Sequence, residues 1–265
     1  MTAVTGAGWL PGPPRGHRLR RAATKAELAT AAASRLTDQL TEILYRRKTA
    51  TIALTGGSMG EAVMRALSAH PGAVDWSRVG LWWSDERFLP AGHPDRNDTQ
   101  ARDAGLGRLG LDPTRVHRLP QPDECADDVH LAAESYAKDL RAAAAPGRQL
   151  PAVDVLMLGV GPDGHVASLF PGHPALAVTD LVCVGIEDSP KPPPRRVTWT
   201  LPALCQADRV WFLVSGADKA DAVRRALDGP AGTRPIPAGA VTGRRSTTWW
   251  VDAAAAPPAQ PTGRS

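Results

Sequence analysis

Short apolar runs alternate with helical patterns along most of this chain, and this alternation restricts its fold more than any other feature. The stretch 25–47 has helical spacing of Ala and Leu behind a Thr24–Glu27 capping box. Strand-like runs lie at 51–54, 79–83, 153–158, 181–186, 210–214 and 247–251, with further helical patterns at 61–69, 127–145 and 218–228. Alternating strands and helices are typical of βαβ units. We therefore expect an α/β fold with an open, doubly wound, mostly parallel sheet and helices on both faces.

The chain has 265 residues, enough for one large α/β domain with a substantial core. We assign this domain to residues 17–252. The segments 1–16 and 253–265 are rich in Ala, Pro and Gly, and we expect both to be disordered tails. Prolines interrupt the first segment before a signal-peptide core can form, and no apolar stretch approaches the roughly 18 residues of a membrane span. The sequence thus predicts a soluble, cytoplasmic protein.

Charge and cysteine content narrow the classes of partner. The chain has 31 Lys and Arg against 27 Asp and Glu, and because the basic residues are scattered, nucleic acid is disfavoured while a small anionic ligand is compatible. Cys125, Cys183 and Cys205 are too widely spaced for a zinc motif, and we interpret them as reduced core thiols. The sequence also lacks H-E-x-x-H and G-x-S-x-G. We expect no metal, no other cofactor, and a monomer or small homo-oligomer.

Polar residues concentrate where five of the apolar runs end. These loops are TGGS at 55–58, SDER at 84–87, GVGPDGH at 159–165, SPKPPPRR at 189–196 and SGADK at 215–219. Ligands of open α/β sheets bind beyond the carboxyl ends of the strands. We therefore expect all five loops to meet at one edge of one sheet and to form the functional site.

The glycine turn formed by Gly56, Gly57 and Ser58 leads from a strand into a helix. Its backbone amides can surround an anion, and the helix dipole favours negative charge there. Lys219, near the start of a later helix, can supply a positive charge to the same anion. The alternatives are an ordinary glycine turn and a solvated surface lysine. The combination predicts a phosphate-binding site.

The third loop also contains Gly159-x-Gly161-x-x-Gly164, which matches the dinucleotide-binding fingerprint in form. Pro162 has no amide donor, however, and the carboxylate of Asp163 would repel a pyrophosphate. A nicotinamide or flavin dinucleotide is therefore disfavoured.

The same loop presents His165, which can act as a general base near neutral pH. Asp163 either orients the imidazole or caps a following helix, and we favour the cap. Asp85 and Arg87 are further candidates, with a structural ion-pair cluster as their alternative interpretation. In the fourth loop, the proline run should hold Lys191 and Arg196 in fixed directions.

Taken together, these motifs resemble a known family. The segments ALTGGSMG, WWSDERFLPAGHPDRNDTQAR, DVLMLGVGPDGHVASLFPG, SPKPPPRRVTWTLPAL and GADKADAV occur in order between residues 24 and 251. They are similar to the glucosamine-6-phosphate isomerase/6-phosphogluconolactonase family. The resemblance implies a fold of the deaminase and ribose-phosphate-isomerase type, and hydrolysis of 6-phospho-D-glucono-1,5-lactone to 6-phosphogluconate in the pentose phosphate pathway.

With this substrate, the loop residues lead to a hypothesis for the mechanism. Water activated by His165 would attack the lactone carbonyl, Arg87 or Lys191 would stabilise the oxyanion, and the glycine turn with Lys219 and Arg196 would hold the phosphate. The deaminase branch carries a proton-transferring glutamate five residues after the loop histidine, where this chain has Phe170. This difference favours the lactonase. A deaminase-like isomerase and a non-enzymatic sugar-phosphate sensor remain the alternatives.

Overall fold

A computed structural model describes residues 17–228 and 236–257 of the chain. The strands are β1 (His17–Ala22), β2 (Ala50–Leu54), β3 (Val79–Trp83), β4 (Asp85–Arg87), β5 (Val155–Gly159), β6 (Cys183–Ile186), β7 (Arg196–Trp199), β8 (Arg209–Val214) and β9 (Ser246–Asp252). The helices are α1 (Lys25–Arg46), α2 (Gly57–Ala69), α3 (Asn97–Asp103), α4 (Val129–Ala142), α5 (Leu201–Leu204), α6 (Ala220–Asp228) and α7 (Pro237–Ala240). The α/β fold class expected from the sequence is therefore confirmed.

Six strands form one parallel sheet in the order β1-β9-β8-β5-β2-β3. From β1, the chain passes through α1 to β2 and through α2 to β3, towards one edge of the sheet. From β5, it later passes to β8 and then to β9, towards the other edge. Because such crossovers are right-handed, the two directions place helices on opposite faces of the sheet. The winding reverses between β2 and β5. In an open α/β sheet, the crevice at that reversal is where a ligand binds.

One expected parallel strand, 181–186, belongs to a different sheet. Residues Cys183–Ile186 form β6, and a separate antiparallel sheet has the order β4-β7-β6. The expectation that all five polar loops follow strands of one sheet is thus wrong for the proline-rich loop. Only nine residues, 187–195, connect β6 to β7, and a parallel crossover needs a dozen or more. The short connection therefore allows only an antiparallel return.

The helices follow the predicted pattern, with shifted ends. The Thr24 hydroxyl accepts the backbone N–H of Glu27 (3.2 Å), as the capping box requires. Helix α4 is shorter than the predicted 127–145 because the Asp128 carboxylate caps it, accepting the N–H of His130 at 2.7 Å. Helix α2 begins at Gly57, four residues before the predicted start at Glu61. The glycine turn is therefore the first turn of α2 itself.

Both ends of the described chain join the sheet. Strand β1 pairs in parallel with β9, although the sequence pattern did not predict a strand there. Residues 253–257, expected to begin a disordered tail, form a turn instead: the side chain of Ala255 is fully buried, and its N–H donates to Asp252 Oδ1 at 2.9 Å. The remaining expected tail residues, 1–16 and 258–265, lie outside the described residues.

The three cysteines agree with the interpretation of core thiols. Cys125, Cys183 and Cys205 are all buried, and no disulfide joins them. Burial also raises the pKa of the Cys183 thiol above its ordinary range, which suppresses the reactive thiolate. None of the helices in residues 17–228 and 236–257 is long and apolar enough to cross a membrane.

Candidate active site

A cleft of about 280 Å³ lies at the carboxyl ends of β2, β5 and β8, at the reversal point of the sheet. All but one of the ten predicted site residues line it: Gly56, Gly57, Ser58, Asp85, Arg87, His165, Lys191, Arg196 and Lys219. The tenth, Asp163, contacts His165 from the side. The proline-rich loop reaches the same cleft even though it comes from the second sheet, because the β4-β7-β6 sheet brings its loops to this edge.

The imidazole of His165 is held by a carboxylate and faces an ammonium group. Its Nδ1 lies 2.6 Å from Asp163 Oδ1, and Lys191 Nζ lies 3.3 Å from the same oxygen and 3.4 Å from Nδ1. With Nδ1–H donated to Asp163, Nε2 carries the lone pair. Burial lowers the pKa of His165, and Asp163 only partly opposes this effect. The ring is therefore neutral near pH 7 and suited to accept a proton.

Asp163 does not cap a helix. The residues after His165 form an isolated bridge between Val166 and Leu169, so the expected helix is absent and the favoured interpretation of Asp163 was wrong. Burial alone would raise the pKa of Asp163, but the hydrogen bond and charge of His165, together with Lys191, lower it. Asp163 therefore stays ionised and orients the imidazole.

Two positions of this loop require glycine, and one of them makes room for the imidazole. A Cβ at Gly161 would lie 2.0 Å from His165 Nδ1, and Gly164 has a φ of +87°, which favours glycine. Phe170 is buried, and its ring centroid lies 4.5 Å from that of His165. The guanidinium of Arg196 lies 5.6 Å from the same phenyl centroid. The imidazole of His165 therefore packs against a phenyl ring, and the Phe170 side chain cannot carry a proton.

Arg196 holds the proline-rich loop in place. Its guanidinium donates to the carbonyls of Lys191 (3.1 Å), Pro192 (3.0 Å) and Pro193 (3.0 Å). Burial lowers its pKa, but an arginine remains charged at any ordinary pH. Arg196 therefore fixes the backbone from which Lys191 extends towards His165.

The SDER segment separates into groups with different tasks. Asp85 accepts a hydrogen bond from Ser168 Oγ at 2.8 Å, and both Asp85 and Arg87 line the cleft. Glu86 turns away and accepts the backbone N–H groups of Asn97 (2.6 Å) and Asp98 (2.9 Å). Its burial raises its pKa from 4.5 to about 7. Within residues 17–228 and 236–257, no ion pair joins Arg87 to Asp85 or Glu86. The alternative interpretation as a structural ion-pair cluster therefore holds only for Glu86, whose Oε2 lies 3.9 Å from Arg96 Nη2.

The glycine turn is fitted tightly against α3. Gly57 has a φ of +76°, and its N–H donates to Gln100 Oε1 at 3.2 Å. A Cβ at Gly56 would lie only 1.7 Å from Asn97 Oδ1. The N-terminus of α2 faces the cleft, as an anion-binding turn requires, although one of its amides is already occupied by Gln100.

Lys219 lies in a short 3₁₀ turn that precedes α6, and its Nζ lies 2.5 Å from Asp218 Oδ2. Next to it, Ser215 donates to Asp252 Oδ2 at 2.6 Å, which ties the end of β8 to the end of β9. Lys219 is therefore a cation that lines the cleft from a loop braced by hydrogen bonds.

Sequence reasoning assigned no individual role to four polar residues at the cleft. Thr55 and Ser215 lie in two of the expected site loops, whereas Asn97 and Ser168 lie outside all five. Thr55 accepts the N–H of Gly159 at 3.1 Å, and Ser168 reaches Asp85 across 83 positions of sequence. Asn97 lies inside the RNDTQAR segment that carries the family resemblance, and this was the only sequence signal that pointed to a role for it. The other contacts depend on the tertiary structure.

A family model described as glucosamine-6-phosphate isomerases/6-phosphogluconolactonase matches residues 23–250. The chain belongs to this family.

Individual relatives agree with this assignment. The chain is 48% identical to a 6-phosphogluconolactonase of Streptomyces coelicolor over 234 residues, covering 86% of this chain and 89% of the relative. It is 44% identical to a 6-phosphogluconolactonase of Mycobacterium tuberculosis, covering 86% and 93%. The solved structure of the Trypanosoma brucei 6-phosphogluconolactonase is 26% identical, with a TM-score of 0.76, and the match covers 91% of this chain and 97% of that one.

Proposed function

We propose that this protein hydrolyses 6-phospho-D-glucono-1,5-lactone to 6-phosphogluconate, the second step of the oxidative pentose phosphate pathway. The observation that carries the proposal is the 2.6 Å contact of Asp163 with His165 Nδ1, at the edge of a cleft that also contains a helix N-terminus and Lys219. A base and an anion-binding end in one cleft match a substrate with an ester carbonyl and a phosphate. Two relatives above 40% identity carry the name of this activity.

In the proposed reaction, Nε2 of neutral His165 takes a proton from water as the water oxygen bonds to C1 of the lactone. The carbonyl electrons move onto oxygen, and Lys191 or Arg87 stabilises that negative charge. The tetrahedral intermediate collapses, the bond from C1 to the ring oxygen breaks, and the histidinium returns the proton to the ring oxygen. Asp163 orients the ring and stabilises the histidinium, as in hydrolytic triads.

At the other end of the substrate, the phosphate lies on the turn formed by Gly56, Gly57 and Ser58. Lys219 supplies a positive charge, and Arg196 contributes mainly by holding the proline-rich loop. Asp85 contacts a sugar hydroxyl or anchors its strand through Ser168. No cofactor takes part in these steps, and we expect catalysis to persist without added metal.

Phe170 argues against deamination of glucosamine 6-phosphate. A deaminase needs a proton carrier to open the amino sugar, and the side chain packed against His165 here is a phenyl ring. The buried thiols support a cytoplasmic location as part of the same proposal, with the enzyme acting as a monomer or small homo-oligomer on a small molecule rather than on nucleic acid or a membrane.

The test is to follow lactone opening by proton release at pH 7, with spontaneous opening subtracted. We expect hydrolysis well above this background, unchanged by EDTA, and much weaker hydrolysis of unphosphorylated glucono-1,5-lactone because that compound lacks the anionic group. Opening of the phosphorylated lactone no faster than background would overturn the proposal. Ammonia release from glucosamine 6-phosphate at a comparable rate would replace it with the deaminase, and ligand binding without turnover of either compound would indicate a sensor.

A further inference from the structure

The side chain of Asn97 connects three parts of the cleft that come from different elements. Asn97 is the first residue of α3 and is buried, with 2% of its surface exposed. Its Nδ2 donates to the carbonyl of Asp85 at 2.8 Å and lies 3.5 Å from Asp85 Oδ1, and its Oδ1 accepts Arg87 Nη1 at 2.7 Å. The same oxygen lies directly over Gly56.

Only an amide of this length satisfies these neighbours. The acidic residue needs a donor and the guanidinium needs an acceptor, and the asparagine side chain offers both from one planar group. A carboxylate would face Asp85 without a proton to donate, whereas leucine would provide neither group. The absence of a side chain at Gly56 leaves the space that the amide occupies.

The guanidinium of Arg87 is held from one end only. Nη1 donates to Asn97 Oδ1 and to the carbonyl of Asp95, both at 2.7 Å. Among residues 17–228 and 236–257, Nε and Nη2 of Arg87 have no hydrogen-bond partner. Since Arg87 lines the cleft, these N–H groups remain for a ligand, and the direction in which they point depends on the two acceptors of Nη1.

We propose that Asn97 is a positioning residue: it holds Arg87 in the direction in which the guanidinium meets the substrate, while its hydrogen bond to the Asp85 carbonyl fixes the amide itself. This inference rests on the proposed lactonase function. Because Asn97 acts through Arg87, removal of the Asn97 amide should change the same kinetic constant as removal of the Arg87 charge. In a protein that already lacks the Arg87 charge, removal of the amide should lower activity little further.

The test is a double-mutant cycle of Asn97→Leu and Arg87→Met, with kcat and KM measured for lactone hydrolysis. A hydrogen bond to a charged group corresponds to roughly a 10- to 100-fold effect, and we expect Asn97→Leu to lower kcat/KM by about this factor in the wild type. In the Arg87→Met background we expect less than about threefold. Asn97→Leu and Arg87→Met should also divide their losses between kcat and KM in the same proportion.

Thr99→Val is the matched control. Thr99 is buried in the same helix, and its hydroxyl contacts Asp98 rather than Asp85 or Arg87. This variant loses a buried polar group from α3, and its kinetic constants should stay near those of the wild type. If Thr99→Val loses as much activity as Asn97→Leu, integrity of α3 explains the result and the positioning role is rejected.

Thermal unfolding of each variant separates folding from positioning. If Asn97→Leu does not fold, Asn97→Ala takes its place, because alanine keeps the backbone N–H that donates to Glu86 and adds no atom near Gly56. Failure of both variants to fold would make Asn97 a folding residue and overturn the proposal, as would additive effects in the cycle.

An inactive wild type would refute the proposed function, whereas an active wild type with an unaffected Asn97→Leu variant would refute this inference alone.

Discussion

Two sides of the cleft differ in how their polar side chains are held. On the histidine side, Asp163 and Lys191 have side chains 36% and 40% exposed, and each makes few contacts. On the arginine side, Asp85, Glu86 and Asn97 are at most 5% exposed, and several hydrogen bonds hold each of them.

The difference separates two tasks. A group that takes a proton from water needs a free nitrogen and a pKa below neutrality. Burial lowers the pKa of His165, and the contact of Nδ1 with Asp163 leaves Nε2 available. A group that binds a fixed charge works best when its direction is set before the ligand arrives. The arginine side has this property, since the buried Asn97 amide and the carbonyl of the exposed Asp95 determine where Arg87 points.

The largest expected effect is on the histidine side. Asn is close to His in polarity but has no basic nitrogen, so His165→Asn should lower kcat by on the order of 10²–10⁴, while binding of 6-phosphogluconate by calorimetry changes little. In the wild type, kcat/KM should fall as the pH drops below about 6.5, because burial lowers the pKa of His165 and protonation removes the base.

The control for this variant is His130→Asn, since His130 is exposed on α4 and lines a different cavity rather than the cleft. Its turnover should equal that of the wild type. If His165→Asn also retains near wild-type turnover, the proton is taken elsewhere, and Asp85 or Asp163 becomes the leading base.

The two sides also differ in how well the sequence predicted them. Asp163 and His165 are two positions apart in a glycine-rich loop, so their pairing is local and could be proposed, although the role of Asp163 was misjudged because a helix was expected to follow. The arginine side depends on contacts such as Ser168 with Asp85, for which the two residues are 83 positions apart. The parallel sheet was predictable from the alternation of apolar runs with helical patterns. The β4-β7-β6 sheet was not, because β4 and β7 have only three and four residues and the run that forms β6 was expected in the parallel sheet.

The next prediction concerns Glu86, whose burial raises its pKa from 4.5 to about 7. The folded protein then binds more protons than the unfolded chain between these pH values. Glu86 therefore contributes stability that is fully present below pH 4.5 and is lost as the pH rises to about 7. The loss corresponds to about 3 kcal/mol of unfolding free energy.

Glu86→Gln removes this titration. We expect the stability of the wild type relative to the variant to decline by about that amount between pH 4.5 and 7.5, measured by urea unfolding at each pH. His165 and His117 have lowered pKa values and act in the opposite direction, but they are present in both proteins and cancel in the difference. Parallel pH profiles would mean that Glu86 stays ionised on the arginine side, stabilised by its backbone N–H donors.

The smallest effect should come from Lys219, and it tests whether the phosphate lies apart from the histidine side. A charge that contacts the phosphate does so equally in the ground state and in the transition state. Lys219→Ala should therefore raise KM by about tenfold, the size of one charge-assisted hydrogen bond, with kcat within about twofold of the wild type. Lys219→Arg should restore much of the affinity, and Lys138→Ala, which removes an exposed lysine on α4, should change neither constant.

The opposite result for Lys219→Ala, a loss of kcat at constant KM, would place Lys219 at the reacting carbonyl. The oxyanion would then be stabilised from the end of β8, and the phosphate would have to lie between Arg87 and the glycine turn.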